Sequence, residues 1–112
     1  MTDKKTEGAG ALRYNEGKPQ WSLVDFESLE DLVRVLEFGA NKYSPNNWKK
    51  GLDNTKIIDS MLRHVFAYLR GEDKDPESEL SHIGHIMCNA MFLAYMHKHR
   101  PDLDKRDITK KP

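Results

Sequence analysis

The sequence predicts an all-α fold, a helical bundle with three main helices in each chain. Three long segments place apolar residues at three- and four-residue steps, which is the spacing of an amphipathic helix. No segment of useful length alternates apolar and polar residues, so we expect no β-strand. A chain of 112 residues supplies the core of one domain, and this length excludes a second.

Turn and capping residues bound the first two helices. The first is predicted over residues 25–43, because residues 44–47 have turn composition and a proline disfavours helical geometry in the residue before it. Asn54 or Thr55 is predicted to cap the second helix, and Gly71 to stop it.

The third helix is predicted from about Leu80 to His99, ending before Pro101. It is rich in methionine and carries apolar residues on several sides. This apolar surface is larger than the other two helices of the chain can bury. We therefore expect helices of two or more copies to meet in a four-helix-type core, as a homodimer or homotetramer. The alternative is a compact monomeric three-helix bundle.

The two ends of the chain differ in composition from the middle. Residues 1–10 lack large apolar side chains and are predicted to be disordered, whereas residues 11–100 form the single helical domain. Residues 101–112 are predicted to form a charged C-terminal tail. The sequence contains one cysteine and neither a membrane-spanning stretch nor an apolar signal segment, so we expect a cytoplasmic protein without membrane contact.

Composition and motifs exclude several classes of function. Lysine plus arginine and aspartate plus glutamate each number 18, and the resulting zero net charge argues against a protein that binds nucleic-acid polymers or anionic membranes. The GxGxxG, P-loop and HExxH motifs are absent from the sequence. Their absence argues against a dinucleotide-binding protein, a P-loop NTPase and a zincin metalloprotease.

Three of the five histidines border the predicted apolar helix faces. At about 100° per residue, His82, His85 and Asn89 form one ladder along the third helix, and His64 flanks the apolar face of the second. If these helices pack antiparallel, His64 approaches the other two histidines. The loop before the third helix adds five carboxylates, namely Glu72, Asp73, Asp75, Glu77 and Glu79.

Imidazoles and carboxylates together are the ligands that a divalent cation needs. Oxygen ligands suit Mg²⁺ or Mn²⁺, and imidazole shifts the preference toward Mn²⁺ and other transition metals. Other interpretations stay open, because a histidine at a helix edge is often solvated and an acidic loop is often a solvated turn. Glu30 and Glu37 of the first helix either add carboxylates or lie at the surface.

A series of short motifs is more specific than any single residue. The series runs R-Y-N-E-G-K-P at 13–19, F-G-A-N-K-Y at 38–43, N-W-K-K-G at 47–51, L-R-H at 62–64, G-E-D-K-D-P-E at 71–77 and H-I-G-H at 82–85, followed by Asn89. It resembles the phage and prophage dATP/dGTP diphosphohydrolase family, which is related to the MazG-like all-α nucleoside triphosphate pyrophosphohydrolases. The resemblance covers roughly residues 13–96 and implies a helical, oligomeric enzyme that uses Mg²⁺ or Mn²⁺.

The metal ligands that the resemblance implies depart from the usual signature. MazG-like enzymes hold the metal with EExxE on one helix and ExxD on the next, whereas His82-x-x-His85 stands here in place of ExxD. Either the histidines coordinate the metal, or carboxylates of the acidic loop and the first helix do so while the histidines bind phosphate. The ligands we assign are His64, His82, His85 and one or both of Asp73 and Asp75.

The resemblance also implies a reaction, in which water attacks the α-phosphorus of a purine deoxynucleoside triphosphate and releases the monophosphate and pyrophosphate. Glu72 is the candidate general base, in a catalytic set with Asp73 and His64. Residues expected to contact the substrate are Arg13, Asn15, Lys18, Lys42, Asn47, Trp48, Lys49, Arg63 and Asn89. The alternative function is a non-enzymatic helical interaction module that binds a host protein through the third helix.

Overall fold

The structure, a computed structural model, describes residues 5–7 and 10–108. Three α-helices dominate it: α1 spans Glu30–Lys42, α2 spans Asn54–Leu69 and α3 spans His82–His99. The predicted all-α class with three main helices is confirmed. Within the described ranges, no helix is long and apolar enough to cross a membrane.

A short β-ribbon precedes the helices, and the expectation of no strand is wrong there. Strand β1, Lys5–Glu7, pairs antiparallel with strand β2, Leu12–Tyr14. Each strand has three residues, which is too short for a period-two pattern to stand out. Part of the segment 1–10 that was expected to be disordered is therefore a paired strand, and its residues 1–4 and 8–9 lie outside the described part of the chain.

The first helix begins later than the sequence predicted. A 3₁₀ turn at Glu27–Leu29 leads into α1 at Glu30, in place of a helix start near Asp25. The carboxylate of Asp25 accepts a hydrogen bond from the backbone N–H of Ser28, at 3.2 Å. This local bond competes with regular helical pairing and favours a turn at the entry.

The second and third helices start at different caps. The cap residue of α2 is Asp53, one position before the predicted Asn54, whose side chain instead bonds to the C-terminal segment. At α3 the hydroxyl of Ser81 accepts a hydrogen bond from the N–H of Gly84, at 3.2 Å. A serine cap with this geometry sets the first residue of α3 at His82.

Helix α3 packs against both other helices. It approaches α1 closely at Gly84, where a Cβ atom would lie 2.7 Å from the backbone oxygen of Asp31. The buried apolar residues are few, and those in the described ranges are Val35, Ile57, Ala67, Cys88 and Met96. This small core holds α2 and α3 side by side, which is the packing that the predicted site requires.

The first part of the predicted C-terminal tail, residues 101–108, folds back onto the bundle. After a 3₁₀ turn at Pro101–Leu103, the Asn54 side chain donates to Asp104 Oδ1 and accepts from the Lys105 N–H, both at 2.7 Å. Arg100 also donates to the backbone oxygen of Lys50, at 3.1 Å. These bonds tie the end of α3 to the start of α2.

Candidate active site

The acidic loop between α2 and α3 folds around one carboxylate. Asp75 Oδ2 accepts hydrogen bonds from the backbone N–H groups of Glu77 and Ser78, at 3.1 and 2.9 Å. The loop closes onto α3 through a 2.9 Å bond from the His82 N–H to the Asp73 oxygen. Because aspartate readily accepts from backbone groups two and three residues ahead, this sequence turns sharply here and fixes its carboxylate beside the helix start.

His82 lies at the centre of the site. Only 2% of its surface is exposed, and its Nε2 lies 2.7 Å from Glu72 Oε1. Since a carboxylate only accepts, Nε2 of His82 donates this bond, and in a neutral ring Nδ1 keeps a lone pair. That Nδ1 lies 2.8 Å from Nδ1 of His64, within hydrogen-bond distance.

His64, Asp75 and His82 form a group that could hold a metal ion. One ligand atom from each lies within 4.8 Å of the others. Two imidazoles and one carboxylate leave coordination positions for water or substrate oxygens, and this mixed donor set suits a transition metal better than Mg²⁺, which prefers oxygen ligands alone. The contact from Glu72 to His82 is the support that a metal-binding histidine usually receives from a neighbouring carboxylate.

His85 lies beside the group but makes a different contact. Its ring stacks on that of His64, with 4.3 Å between ring centroids and 5° between planes. Its Nε2 lies 2.7 Å from the hydroxyl of Ser78. In this arrangement His85 supports the His64 ring and the acidic loop.

The electrostatic environment favours the neutral forms of His64 and His85 and the charged form of Asp75. Burial lowers the pKa of His64 and of His85, and the neighbouring histidines lower both further against the opposing effect of Asp75. Partial burial pushes the pKa of Asp75 upward, but the N–H donors of Ser78 and Glu77 and the nearby imidazoles outweigh it, so the net shift is downward. Neutral imidazole and ionised carboxylate are the forms that coordinate metal.

An open cleft of about 1050 Å³ runs from this group along α3. Its lining brings together ten of the residues that the sequence analysis assigned: Lys42, Asn47, Trp48, Arg63, His64, Glu72, Asp75, His82, His85 and Asn89. Trp48 stacks on Phe92, which follows His85 by seven residues on α3, so Trp48 lies about 10 Å along the helix axis from the imidazoles.

Five of the assigned residues do not line this cleft: Arg13, Asn15, Lys18, Lys49 and Asp73. Arg13 lies in β2, and Asn15 and Lys18 lie in the turn that follows it. Asp73 contributes its backbone oxygen to the His82 N–H and has an exposed side chain, so Asp75 is the aspartate that joins the histidines.

An aromatic cluster forms the far end of the cleft. The Trp48 ring stacks on Phe92 with centroids 4.7 Å apart, and it meets the edge of Tyr95 at 4.8 Å. Sequence reasoning missed Phe92. The signal was its spacing, because Phe92 follows His85 by seven residues and so shares its helix face.

The chain matches a known family over most of its length. A family model described as "dATP/dGTP diphosphohydrolase, N-terminal" covers residues 8–106, which include every residue of the cleft. The chain belongs to this family. A protein of Salmonella phage PMBT28, named dATP/dGTP diphosphohydrolase, is 34% identical over 95 residues, which are 85% of this chain.

The likeness to the phage dATP/dGTP diphosphohydrolase is partial in one respect. The match covers 32% of that relative, so this chain spans about a third of its length. No solved structure matches the chain. For this member of the dATP/dGTP diphosphohydrolase family, the geometry of the cleft is therefore the source of the residue assignments.

Proposed function

We propose that this chain hydrolyses purine deoxynucleoside triphosphates, dATP or dGTP, to the monophosphate and pyrophosphate. The observation that supports this proposal best is the grouping of His64, Asp75 and His82 at one end of a cleft large enough for a nucleotide. Membership of a family named for this reaction favours it over a non-enzymatic interaction module. The proposed place of reaction is the host cytoplasm, where deoxynucleotide pools lie.

The donor set fits a divalent metal held by these three residues. Mn²⁺ is the proposed ion in preference to Mg²⁺, because two of the three donors are imidazole nitrogens. When bound, such an ion polarises phosphate oxygens and acidifies water. The alternative, in which the histidines bind phosphate and not the metal, is less favoured, because a neutral imidazole carries no positive charge to attract a polyanion.

The chain's own side chains are proposed to divide the remaining work. Glu72 holds His82 in the tautomer whose Nδ1 lone pair faces the group, and its second oxygen is proposed to take the proton of the attacking water. Arg63 and Lys42 line the same cleft and would offset triphosphate charge. Lys42 is held by Glu77, with 2.6 Å between Nζ and Oε2.

The test is an assay of the purified chain with the four deoxynucleoside triphosphates and either Mn²⁺ or Mg²⁺. The expected products are a purine monophosphate and pyrophosphate, formed faster with Mn²⁺. His82→Ala should lower turnover at least about 100-fold, since removing one positioned group commonly costs that much. His97→Ala, a change of an exposed histidine on the same helix, is the control and should retain turnover.

Two outcomes would contradict the proposal. Full turnover by His82→Ala would remove the metal site from the reaction. Release of orthophosphate or tripolyphosphate in place of pyrophosphate would point to a different hydrolytic chemistry.

A further inference from the structure

Asn89 is a polar residue in an otherwise apolar stretch of α3. It lines the cleft one turn after His85 and about one turn before Phe92, and only 8% of its surface is exposed. A side chain amide buried to this degree needs hydrogen-bond partners for both of its ends.

The orientation of the Asn89 amide is fixed by its partners. Its Nδ2 donates to the backbone oxygen of His85 at 3.0 Å, and the hydroxyl of Ser60 lies 3.4 Å from the same nitrogen. A backbone carbonyl can only accept, so the NH₂ group must face it. The other end of the amide, Oδ1, therefore points away from this carbonyl.

The Oδ1 atom of Asn89 has no hydrogen-bond partner within residues 5–7 and 10–108. In the same ranges, no fully buried side-chain nitrogen or oxygen lacks a partner. The Oδ1 atom is consequently not fully buried, and because Asn89 lines the cleft, we take the cleft as the side from which this oxygen is reached. Asn89 Oδ1 is therefore a fixed hydrogen-bond acceptor without a donor among the described residues.

The position of Asn89 along α3 indicates which part of a nucleotide would meet it. With a rise of about 1.5 Å per residue, Asn89 lies about 6 Å beyond His85, and Phe92 lies a further 4.5 Å or so along the axis. This step rests on the proposed function. If the phosphates lie beside His64, Asp75 and His82 and the base lies near Trp48, the sugar and the near edge of the base lie alongside Asn89.

We infer that Asn89 determines nucleoside specificity by accepting a hydrogen bond from an O–H or N–H donor of the substrate. The donor is either the 3′-hydroxyl of the sugar or the exocyclic amine of the purine. A nucleotide that lacks this donor leaves a desolvated oxygen without a partner, which is the usual basis of strong discrimination in a buried site.

The experiment measures binding by calorimetry, so that it does not depend on turnover. The probes, each with Mn²⁺, are a non-hydrolysable α,β-methylene analogue of dATP, its 3′-deoxy counterpart and its counterpart with hydrogen in place of the 6-amino group. The wild-type chain should bind one of the last two about tenfold more weakly than the first, the value expected for one hydrogen bond. The probe that is weakened identifies the donor.

Two variants test whether Asn89 is responsible. Asn89→Leu removes the acceptor. Asn89→Ser shortens the side chain, so that its hydroxyl can donate to the His85 oxygen but its oxygen no longer reaches the position of Oδ1. Both should bind the three probes with equal affinity. Asn41→Ser, which changes an exposed asparagine outside the cleft, should keep the tenfold difference.

Equal binding of all three probes by the wild type, or a difference that persists in Asn89→Ser, would overturn the inference. Discrimination between the probes without hydrolysis of dATP or dGTP would overturn the proposed function alone. Failure to bind these three probes and the α,β-methylene analogue of dGTP would overturn both.

Discussion

At the scale of single residues, the candidate site depends on how His82 is supported. Its ring is buried, with one nitrogen bonded to Glu72 and the other beside His64. The helical spacing of the histidines predicted this meeting, because the period of a helix fixes which residues share a face. The same reasoning could not choose between Asp73 and Asp75, since a loop has no period and its turn bonds decide which carboxylate points inward.

Glu72→Gln should weaken Mn²⁺ binding about tenfold, the lower end of the effect seen when a carboxylate behind a histidine ligand is removed. The glutamine retains an acceptor for His82 but lacks the charge that makes the imidazole more basic. Calorimetric titration with Mn²⁺ measures the change. Glu79→Gln, at an exposed position outside the cleft, is the matched control, and an equal loss there would show that only net charge matters.

Cys88 should be unreactive in the folded chain. It is buried on α3, and burial raises the pKa of its thiol to about 11, so the thiolate that attacks disulfide reagents is scarce at pH 8. A thiol-disulfide colour reagent should detect the cysteine at pH 8 only after guanidinium unfolds the chain. Rapid reaction of the native protein would contradict this packing.

At the scale of elements, the predicted helix interiors are correct and the errors fall at their ends. Residue periodicity identifies a helix body, but hydrogen bonds such as those of Asp25 to Ser28 and Ser81 to Gly84 choose the first residue. The close approach of α3 to α1 was likewise invisible in the sequence. Gly84 provides the space in which the backbone of Asp31 lies.

Gly84→Ala should lower the free energy of unfolding by about 1–3 kcal/mol, because the added methyl group meets backbone atoms that cannot turn aside. Urea denaturation followed by circular dichroism measures this loss. Gly39→Ala in α1 meets no atom within 4 Å and should raise the same free energy by about 0.5–1 kcal/mol. Destabilisation of similar size in both variants would refute the close contact.

At the scale of the whole molecule, the chain is extended for its length. The radius of gyration is 18.3 Å, against about 13 Å for a compact domain of this size. Large apolar side chains are exposed both before the bundle, at Trp21 and Leu23, and on α2, at Leu62 and Phe66. These features favour self-association, which stays a prediction from the sequence.

Light scattering coupled to size-exclusion chromatography should give a mass of two or four times 13.0 kDa. Leu62→Glu combined with Phe66→Glu places two charges on the exposed side of α2 and should shift the mass toward that of one chain, because charged groups resist burial in an interface. Lys98→Glu, at an exposed position near the end of α3, should leave the mass unchanged. A wild-type mass of one chain would refute the prediction.

The bonds from Asn54 to Asp104 and Lys105 join residues about fifty positions apart, and His64, Asp75 and His82 all lie between them. Helices α2 and α3 and the loop between them thus form one unit whose two ends are joined by hydrogen bonds. The ribbon and the turns before α1 lie outside this unit. We expect α2, α3 and their loop to unfold as one cooperative unit, so that their amide hydrogens exchange at similar rates. The amides of residues 10–26 should exchange far faster. Loss of the bonds from Asn54 to Asp104 and Lys105 would then release both helices and the metal-binding group in a single step.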